Sequence, residues 1–309
     1  MAAIFGEAEW IWKNGGFVPW GDANLHLLST AVQFGSSVFE GIRCYETPDG
    51  PAIFRLPEHL RRLRNSCRIY RMEPGYSEAE LTEACRAVVR ENGLTSCYIR
   101  PMVLRGYGSM VMDGIGSPIE TYVPAWPWGA YLGQDALEKG VDVGVSSWQR
   151  AHGNTFPGMA KAAGHYNNAQ LIKFEAQANG YTEGIALTTA GTISEGSGQN
   201  LFAVVDGELL TPSIEGSNLQ GVTRASVFQL AEDLDIPLRE TVMPREILYA
   251  ADELFFSGTA TEITPIRSVD RIEVGEGAMG PITRRLQERF LAIVRGEHKN
   301  NHGWLTPVN

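Results

Sequence analysis

The chain is short of positive charge and of cysteine, and it has no long apolar run. Lys and Arg number 26 against 36 Asp and Glu, a net charge of −10. That deficit argues against binding nucleic acid or an anionic membrane surface, while leaving room for a local basic pocket around a small anion. The four cysteines, Cys44, Cys67, Cys85 and Cys97, lie in the first third of the chain, and none falls in a CxxC pair. Reduced thiols in a cytoplasmic protein are the simplest expectation, and a disulfide would need geometry that the sequence does not give. No metal is expected. Residues 1–14 lack a basic start followed by an apolar run, so they do not read as a signal peptide. No segment is long and apolar enough to span a bilayer. Internal repeats and low-complexity tracts are absent too.

What is present is ordinary for a soluble globular protein: 309 residues, 43% hydrophobic and 20% charged. That length suits one large domain or two modest ones. The organising stretch is FPGMAKAAGHYNNAQLIKFEAQANGYTEGIALTTAGTISEGSGQNLF, from Phe156 to Phe202. Lys161 sits among small residues. A helical pattern follows, with Ala169, Ile172 and Ala176 on one side and a stop at Asn179-Gly180. Two strand-like runs then lead to Glu195, beside the turn Gly196-Ser197-Gly198. Lysine is the side chain that condenses with an aldehyde, and a carboxylate can hold a pyridine nitrogen protonated. The pair is therefore compatible with pyridoxal phosphate. An exposed lysine and a solvated turn acid are the plain alternative.

Upstream, Trp10-Ile-Trp12 and Phe17-Val18 around Asn14-Gly15-Gly16 predict a hairpin. Val38 to Tyr45 predicts a strand, and Asp49-Gly50 a turn into Ala52-Ile-Phe54. Pro57 opens a helix with Leu60, Leu63, Cys67 and Tyr70 on one face and Arg61, Arg62, Arg64, Arg68 and Arg71 around the rest. Those arginines read as a solvated face, or as a face from which one turns inward to a phosphate. Ser77 and Glu80 predict a capping box. Cys97 to Leu104 predicts a strand with Tyr98 and Arg100 on the same side, either a surface strand or a carboxylate-binding wall. Residues 106–118 read as a loop. The Pro-, Gly- and aromatic-rich run from Pro124 to Gly133 reads as an interdomain linker.

Further on, Asn200 to Val205 and Glu208 to Leu210 predict a hairpin through Asp206-Gly207. Gln220-Gly221-Val222-Thr223-Arg224 precedes a helix, an arrangement that suits an anion or a plain Thr N-cap. A short helix is expected over 244–252, an apolar strand at Leu254-Phe-Phe256, and small residues at its end, Ser257 to Thr261. The last helix runs from Pro281 to near Gly296. The tail after it is polar apart from Trp304 and Leu305.

Four pieces, FEGIRCY (39–45), YIRP (98–101), the lysine-to-glutamate stretch, and QGVTR (220–224) with SGTATEITP (257–265), together resemble the branched-chain amino acid aminotransferases. These are fold-type IV, class IV aminotransferases dependent on pyridoxal 5′-phosphate, and the resemblance covers essentially the whole chain. It implies an α+β or α/β fold: a smaller N-terminal α/β domain (1–124), a linker loop (125–137) and a larger C-terminal pseudo-barrel domain (138–309), with the active site at their junction. The implied activity is ping-pong transfer from Leu, Ile or Val to 2-oxoglutarate, through pyridoxamine phosphate, in a cytoplasmic homodimer or a hexamer of dimers.

By the same resemblance, Lys161 joins the cofactor and moves the proton, Glu195 holds the pyridine nitrogen, and Tyr166 bonds the ring hydroxyl. Arg62, Val222, Thr223 and Thr259 take the phosphate, with Leu219, Gly221 and Gly258 beside the cofactor. Tyr98 and the Thr259 and Ala260 amides hold the α-carboxylate. Phe39, Trp128, Tyr131 and Tyr166 line the side-chain pocket, and Arg100 meets the γ-carboxylate of glutamate. Phe34 and Val111 come from the partner subunit. Phe34 stands where many relatives have Tyr, and the loop 105–116 also departs from the usual pattern, which bears on substrate preference. The alternatives are a D-amino acid or (R)-amine transaminase, an aminodeoxychorismate lyase, or a non-catalytic protein that binds the cofactor.

Overall fold

A computed structural model describes residues 6–129, 134–299 and 301–309. The chain divides into two units, one gathering residues 1–129, 160–165 and 293–309, the other residues 130–159 and 166–292. Ala125–Pro127 is a strand of the first unit and Gln134–Lys139 a helix of the second, and residues 130–133 of the expected linker lie outside the described residues.

Two five-stranded antiparallel sheets frame the first unit. One runs Gly16–Pro19, Trp10–Lys13, Ile119–Val123, Met102–Arg105, Ser37–Phe39; the other runs Leu305–Pro307, Ala52–Phe54, Ile42–Tyr45, Cys97–Ile99, Ala125–Pro127. The sequence pattern predicts single strands over 38–45 and 97–104, and the structure corrects both. Each breaks into two strands that belong to different sheets, the first at Glu40-Gly41 and the second at Arg100-Pro101. A third run crosses between the sheets at Pro124. Pro101 and Pro124 have no N–H to continue a ladder. Gly41 lies against the Tyr98 hydroxyl, where a Cβ would come within 1.8 Å. The corners are tied to one another: the Glu40 amide donates to the Pro101 carbonyl at 2.8 Å, and the Arg100 amide to the Pro124 carbonyl at 2.9 Å.

The helices Leu56–Ile69 and Glu78–Glu91 supply the apolar filling of this unit. Leu60, Leu63 and Cys67 of the first and Leu81, Ala84, Cys85, Val88 and Val89 of the second are buried with Ile42, Cys44, Ile53 and Ile99. The capping box forms as predicted, with the Glu80 amide donating to Ser77 Oγ and the Ser77 amide to Glu80 Oε2. All four cysteines are free and buried. The tail, polar apart from Trp304 and Leu305, adds an edge strand: Leu305–Pro307 pairs with Ala52–Phe54, and Trp304 and Val308 are buried.

The second unit is a nine-stranded mixed sheet. Its order is Ile193–Gly196, Glu183–Leu187, Val141–Val145, Glu262–Val269, Glu253–Gly258, Asn200–Val205, Glu208–Pro212, Leu238–Thr241, with Ile272–Glu273 paired beside Glu262–Val269. The helix His165–Ala178 buries Ala169, Ile172 and Ala176, the face its spacing predicts, and Gly180 follows in the left-handed conformation. The helix expected over 244–252 shortens to Ile247–Ala250. Among the described residues no helix is long and apolar enough to cross a membrane.

Candidate active site

In the first unit, the lysine segment lies alongside Ser37–Phe39. The Phe39 amide donates to the Lys161 carbonyl at 3.0 Å and the Ala163 amide to the Ser37 carbonyl at 2.9 Å. Ser66 Oγ accepts from the Lys161 amide at 3.0 Å. Ala160 and Ala162 are buried, which explains the small residues around the lysine: larger ones would not fit against this edge. The backbone is thus fixed on both sides of Lys161, while its half-buried side chain places Nζ 5.0 Å from the centre of the Phe39 ring.

The same ring carries a second cation. The Arg100 guanidinium lies 5.0 Å from Phe39, 5.1 Å from Tyr98 and 5.6 Å from Trp126. Arg100 Nη2 donates to the Tyr98 hydroxyl at 3.3 Å, so the two side chains expected on one side do meet. Trp128 packs 5.2 Å from Tyr98, ring centre to ring centre. An arginine boxed by aromatic faces is held by cation–π attraction in an otherwise apolar wall.

At the Glu40 corner lies a charged cluster that the sequence reading missed. Glu40 and His59 are fully buried. Glu40 Oε1 accepts from Arg62 Nε and Oε2 from Arg62 Nη2, both at 2.7 Å, and His59 Nδ1 is 2.7 Å from Oε2. Burial alone would raise the Glu40 pKa, but the Arg62 charge and hydrogen bond, with the His59 bond, overcome it and bring it to about 2. Burial pulls the His59 pKa down, against the pull of Glu40. Arg62 is the arginine that turns inward, while Arg61, Arg64, Arg68 and Arg71 are exposed. The signal for the cluster was an acid inside an apolar run, with His59 and Arg62 one helical turn apart.

In the second unit, Glu195 is buried and its carboxylate is fixed from three directions. Arg150 Nη2 lies 3.0 Å from Oε1, while Asn200 Nδ2 and the Leu219 amide each donate to Oε2 at 3.2 Å. Arg150 also donates to the Gly196 and Ser197 carbonyls at 3.0 Å. Arg150 and Asn200 were not foreseen, since nothing local in the sequence links them to Glu195. A Cβ on Gly221 would come within 2.1 Å of Asn200 Oδ1, so glycine is required there.

Gly221 is also the N-cap of the helix Val222–Asp233, without a side-chain cap bond, so the Thr N-cap alternative is not what forms. Val222 and Thr223 begin the helix, whose N-terminus is suited to an anion. Thr259 and Ala260 lie in the turn joining Glu253–Gly258 to Glu262–Val269. On either side of them, the buried hydroxyls of Ser257 and Thr261 have no partner among the described residues. Tyr166 is half-buried, Phe34 and Val111 are exposed in the first unit, and Tyr131 lies outside the described residues.

The family model for amino-transferase class IV matches residues 37–269. The branched-chain-amino-acid aminotransferase of Salmonella typhimurium is 52% identical over 304 residues, 98% of each chain. The chain belongs to the class IV aminotransferases, among the branched-chain-amino-acid aminotransferases. The fold agrees with that membership. A crystal structure of the Escherichia coli branched-chain amino acid aminotransferase superposes with a TM-score of 0.96 at 51% identity, covering 98% of this chain and 100% of that one. The T.th. branched-chain amino acid aminotransferase with pyridoxamine 5′-phosphate gives 0.95 at 46% identity, covering 98% and 99%. The same T.th. enzyme is also known in complex with N-(5′-phosphopyridoxyl)-L-glutamate. In this aminotransferase the lysine and glutamate singled out from the sequence are both present, and each has a fixed backbone or carboxylate.

Proposed function

We propose that this aminotransferase moves the amino group of L-leucine, L-isoleucine or L-valine to 2-oxoglutarate, giving the branched 2-oxo acid and L-glutamate, with pyridoxal 5′-phosphate as cofactor. The observation that carries the proposal is the Phe39 ring, shared by the Lys161 amine and the Arg100 guanidinium at 5.0 Å each. A reactive amine next to an aromatic wall with one cation in it suits two kinds of substrate. An aliphatic side chain buries against the rings, and a γ-carboxylate pairs with the arginine.

The donor set fits the cofactor by its chemistry: a primary amine, a carboxylate, an arginine and a helix N-terminus. The pyridoxamine phosphate held by the T.th. enzyme supports the same choice here. When bound, pyridoxal phosphate supplies the carbonyl that takes up the amino group and the ring that accepts the electron pair of the α-carbon. Lys161 is the attachment point and the base that takes the α-carbon proton and returns one. Glu195, kept in place by Arg150 and Asn200, holds a proton on the ring nitrogen. Tyr166 bonds the ring hydroxyl, and Leu219, Gly221 and Gly258 bring backbone close to the ring and phosphate. Arg62, Val222, Thr223 and Thr259 bind the phosphate. Tyr98 and the amides of Thr259 and Ala260 bind the α-carboxylate, and Phe39, Trp128 and Tyr131 receive the side chain.

We also propose a homodimer. Leu27, Val32, Phe34, Val111, Met112 and Ile115 are exposed in the single chain, with Met112 at 81% and Ile115 at 74%. Apolar exposure of that extent favours burial against a second copy, and Phe34 and Val111 would then reach the neighbouring pocket.

The test is a half-reaction. The purified protein loaded with cofactor is mixed separately with L-leucine, L-glutamate, D-alanine and (R)-1-phenylethylamine, with no acceptor present. L-Leucine and L-glutamate should each yield one equivalent of 2-oxo acid per protomer, the stoichiometry of a ping-pong enzyme. Faster single conversion of D-alanine or of the amine would overturn the proposed specificity.

A further inference from the structure

We infer that Glu40 and His59 are positioning residues that aim the Arg62 guanidinium at the cofactor phosphate. The inference rests on the reading of Arg62 as a phosphate ligand and goes beyond it. An arginine on a helix face has a long flexible stem, and freezing it costs rotamer entropy when an anion arrives. Here that freezing precedes the anion. The carboxylate of Glu40 takes the Nε and Nη2 edge of the guanidinium in a bidentate bond, both contacts at 2.7 Å.

The carboxylate is itself immobile. Glu40 sits at the corner where its strand changes sheets, its amide bonded to the Pro101 carbonyl at 2.8 Å. His59 grips Oε2 at 2.7 Å from the same helix as Arg62. His59 Nε2 is buried and has no partner among the described residues. The proton therefore belongs on Nδ1, where it donates to the carboxylate. A neutral imidazole orients Glu40 without cancelling the charge that Glu40 offers Arg62. The arrangement gives up some positive charge at Arg62 and gains a fixed direction. A purely structural ion pair would have the same contacts but would not influence phosphate affinity, and this difference can be measured.

The experiment titrates apoprotein with pyridoxal 5′-phosphate and, separately, with pyridoxal, following tryptophan fluorescence. The ratio of the two affinities isolates the phosphate contribution. Arg62→Met should collapse the ratio; a ratio kept in that variant would refute the phosphate reading itself. Glu40→Gln leaves one of the two bonds to Arg62 and should weaken pyridoxal phosphate about tenfold, the size of one charge-assisted bond, with pyridoxal affinity unchanged. His59→Leu should shift the ratio the same way. His59→Asn should restore it, because its amide N–H stands where Nδ1–H stood. If Arg62→Met loses the ratio while Glu40→Gln and His59→Leu keep it and lose only thermal stability, the pair is structural and the inference is wrong. Should Glu40→Gln not fold, the His59→Leu and His59→Asn pair decides alone: equal ratios in both overturn the inference.

Discussion

Acid should unfold this aminotransferase partly through one carboxylate. Glu40 is fully buried, and its pKa falls from 4.5 to about 2 on folding. A carboxyl with a depressed folded-state pKa adds stability above its unfolded value and loses it as pH falls through the folded value. The window is therefore about 4.5 down to about 2. A gap of about 2.5 units at about 1.4 kcal/mol per unit is worth about 3 kcal/mol, a large share of an ordinary folding free energy. In Glu40→Gln the titrating group is gone. At neutral pH the variant should be less stable by about 3–5 kcal/mol, the cost of breaking a buried ion pair. The deficit should shrink by about 3 kcal/mol between pH 5 and pH 2, because the wild type loses over that range what the variant never had. Urea unfolding of both apoproteins at intervals of pH, read by tryptophan fluorescence, measures it. Parallel stability curves across the window would refute the assignment. His59 acts higher on the scale. Its folded-state pKa is depressed by burial below 6.5, so it too costs stability on acidification, beginning near that value. His59→Asn should remove that earlier decline.

Three other outcomes follow from the geometry. Arg100→Ala should lower kcat/KM for L-glutamate about 10- to 100-fold, the loss of a charge-assisted bond, and spare L-leucine; equal losses for both would remove Arg100 from its role. Gly41→Ala drives a methyl to within 1.8 Å of the Tyr98 hydroxyl and should cost about 1–3 kcal/mol through overpacking, read as a lower thermal midpoint with weakened substrate binding; a neutral effect would mean the corner is not tight. The cysteines should be inert to a thiol reagent at pH 8 in the native protein and react only after denaturation. Burial with the charge of Glu73 pushes Cys67 up to about 12, burial pushes Cys85 up, and Cys97 is pushed up chiefly by its bond with Cys44 across the strand pair. Rapid labelling of any one of them in the folded state would contradict this.

Helices and hairpins were legible because their signals are local. Leu60, Leu63 and Cys67 mark a buried face by spacing alone, Ser77 and Glu80 form the box they predict, and Asp206-Gly207 turns the hairpin with both residues in the left-handed conformation. The corners were not legible. The β pattern runs through Glu40-Gly41 and Arg100-Pro101 with no change of period, and only pairing with distant strands decides that each run serves two sheets. Lys161 and Glu195 stood out through their small neighbours. The choice of Arg62 from five arginines did not follow from the helix and came with the family resemblance. Arg150 reaches Glu195 across 45 positions of sequence, a contact that no local pattern carries. The strand in the tail carried no sequence signal beyond Trp304 and Leu305, because one Trp and one Val are enough to anchor a strand whose hydrogen bonds do the rest.

The edge strand Leu305–Pro307 has a bearing on synthesis at the ribosome. Its partner Ala52–Phe54 emerges early, and the two can pair only after the second unit, which lies between them in sequence, has been made. Arg86 and Arg90 likewise wait for the carbonyl of Val308. The unit that begins first is therefore completed last. Its unpaired edge and the apolar side of Ala52–Phe54 stay open to chaperones, or to other nascent chains, while the second unit is being made.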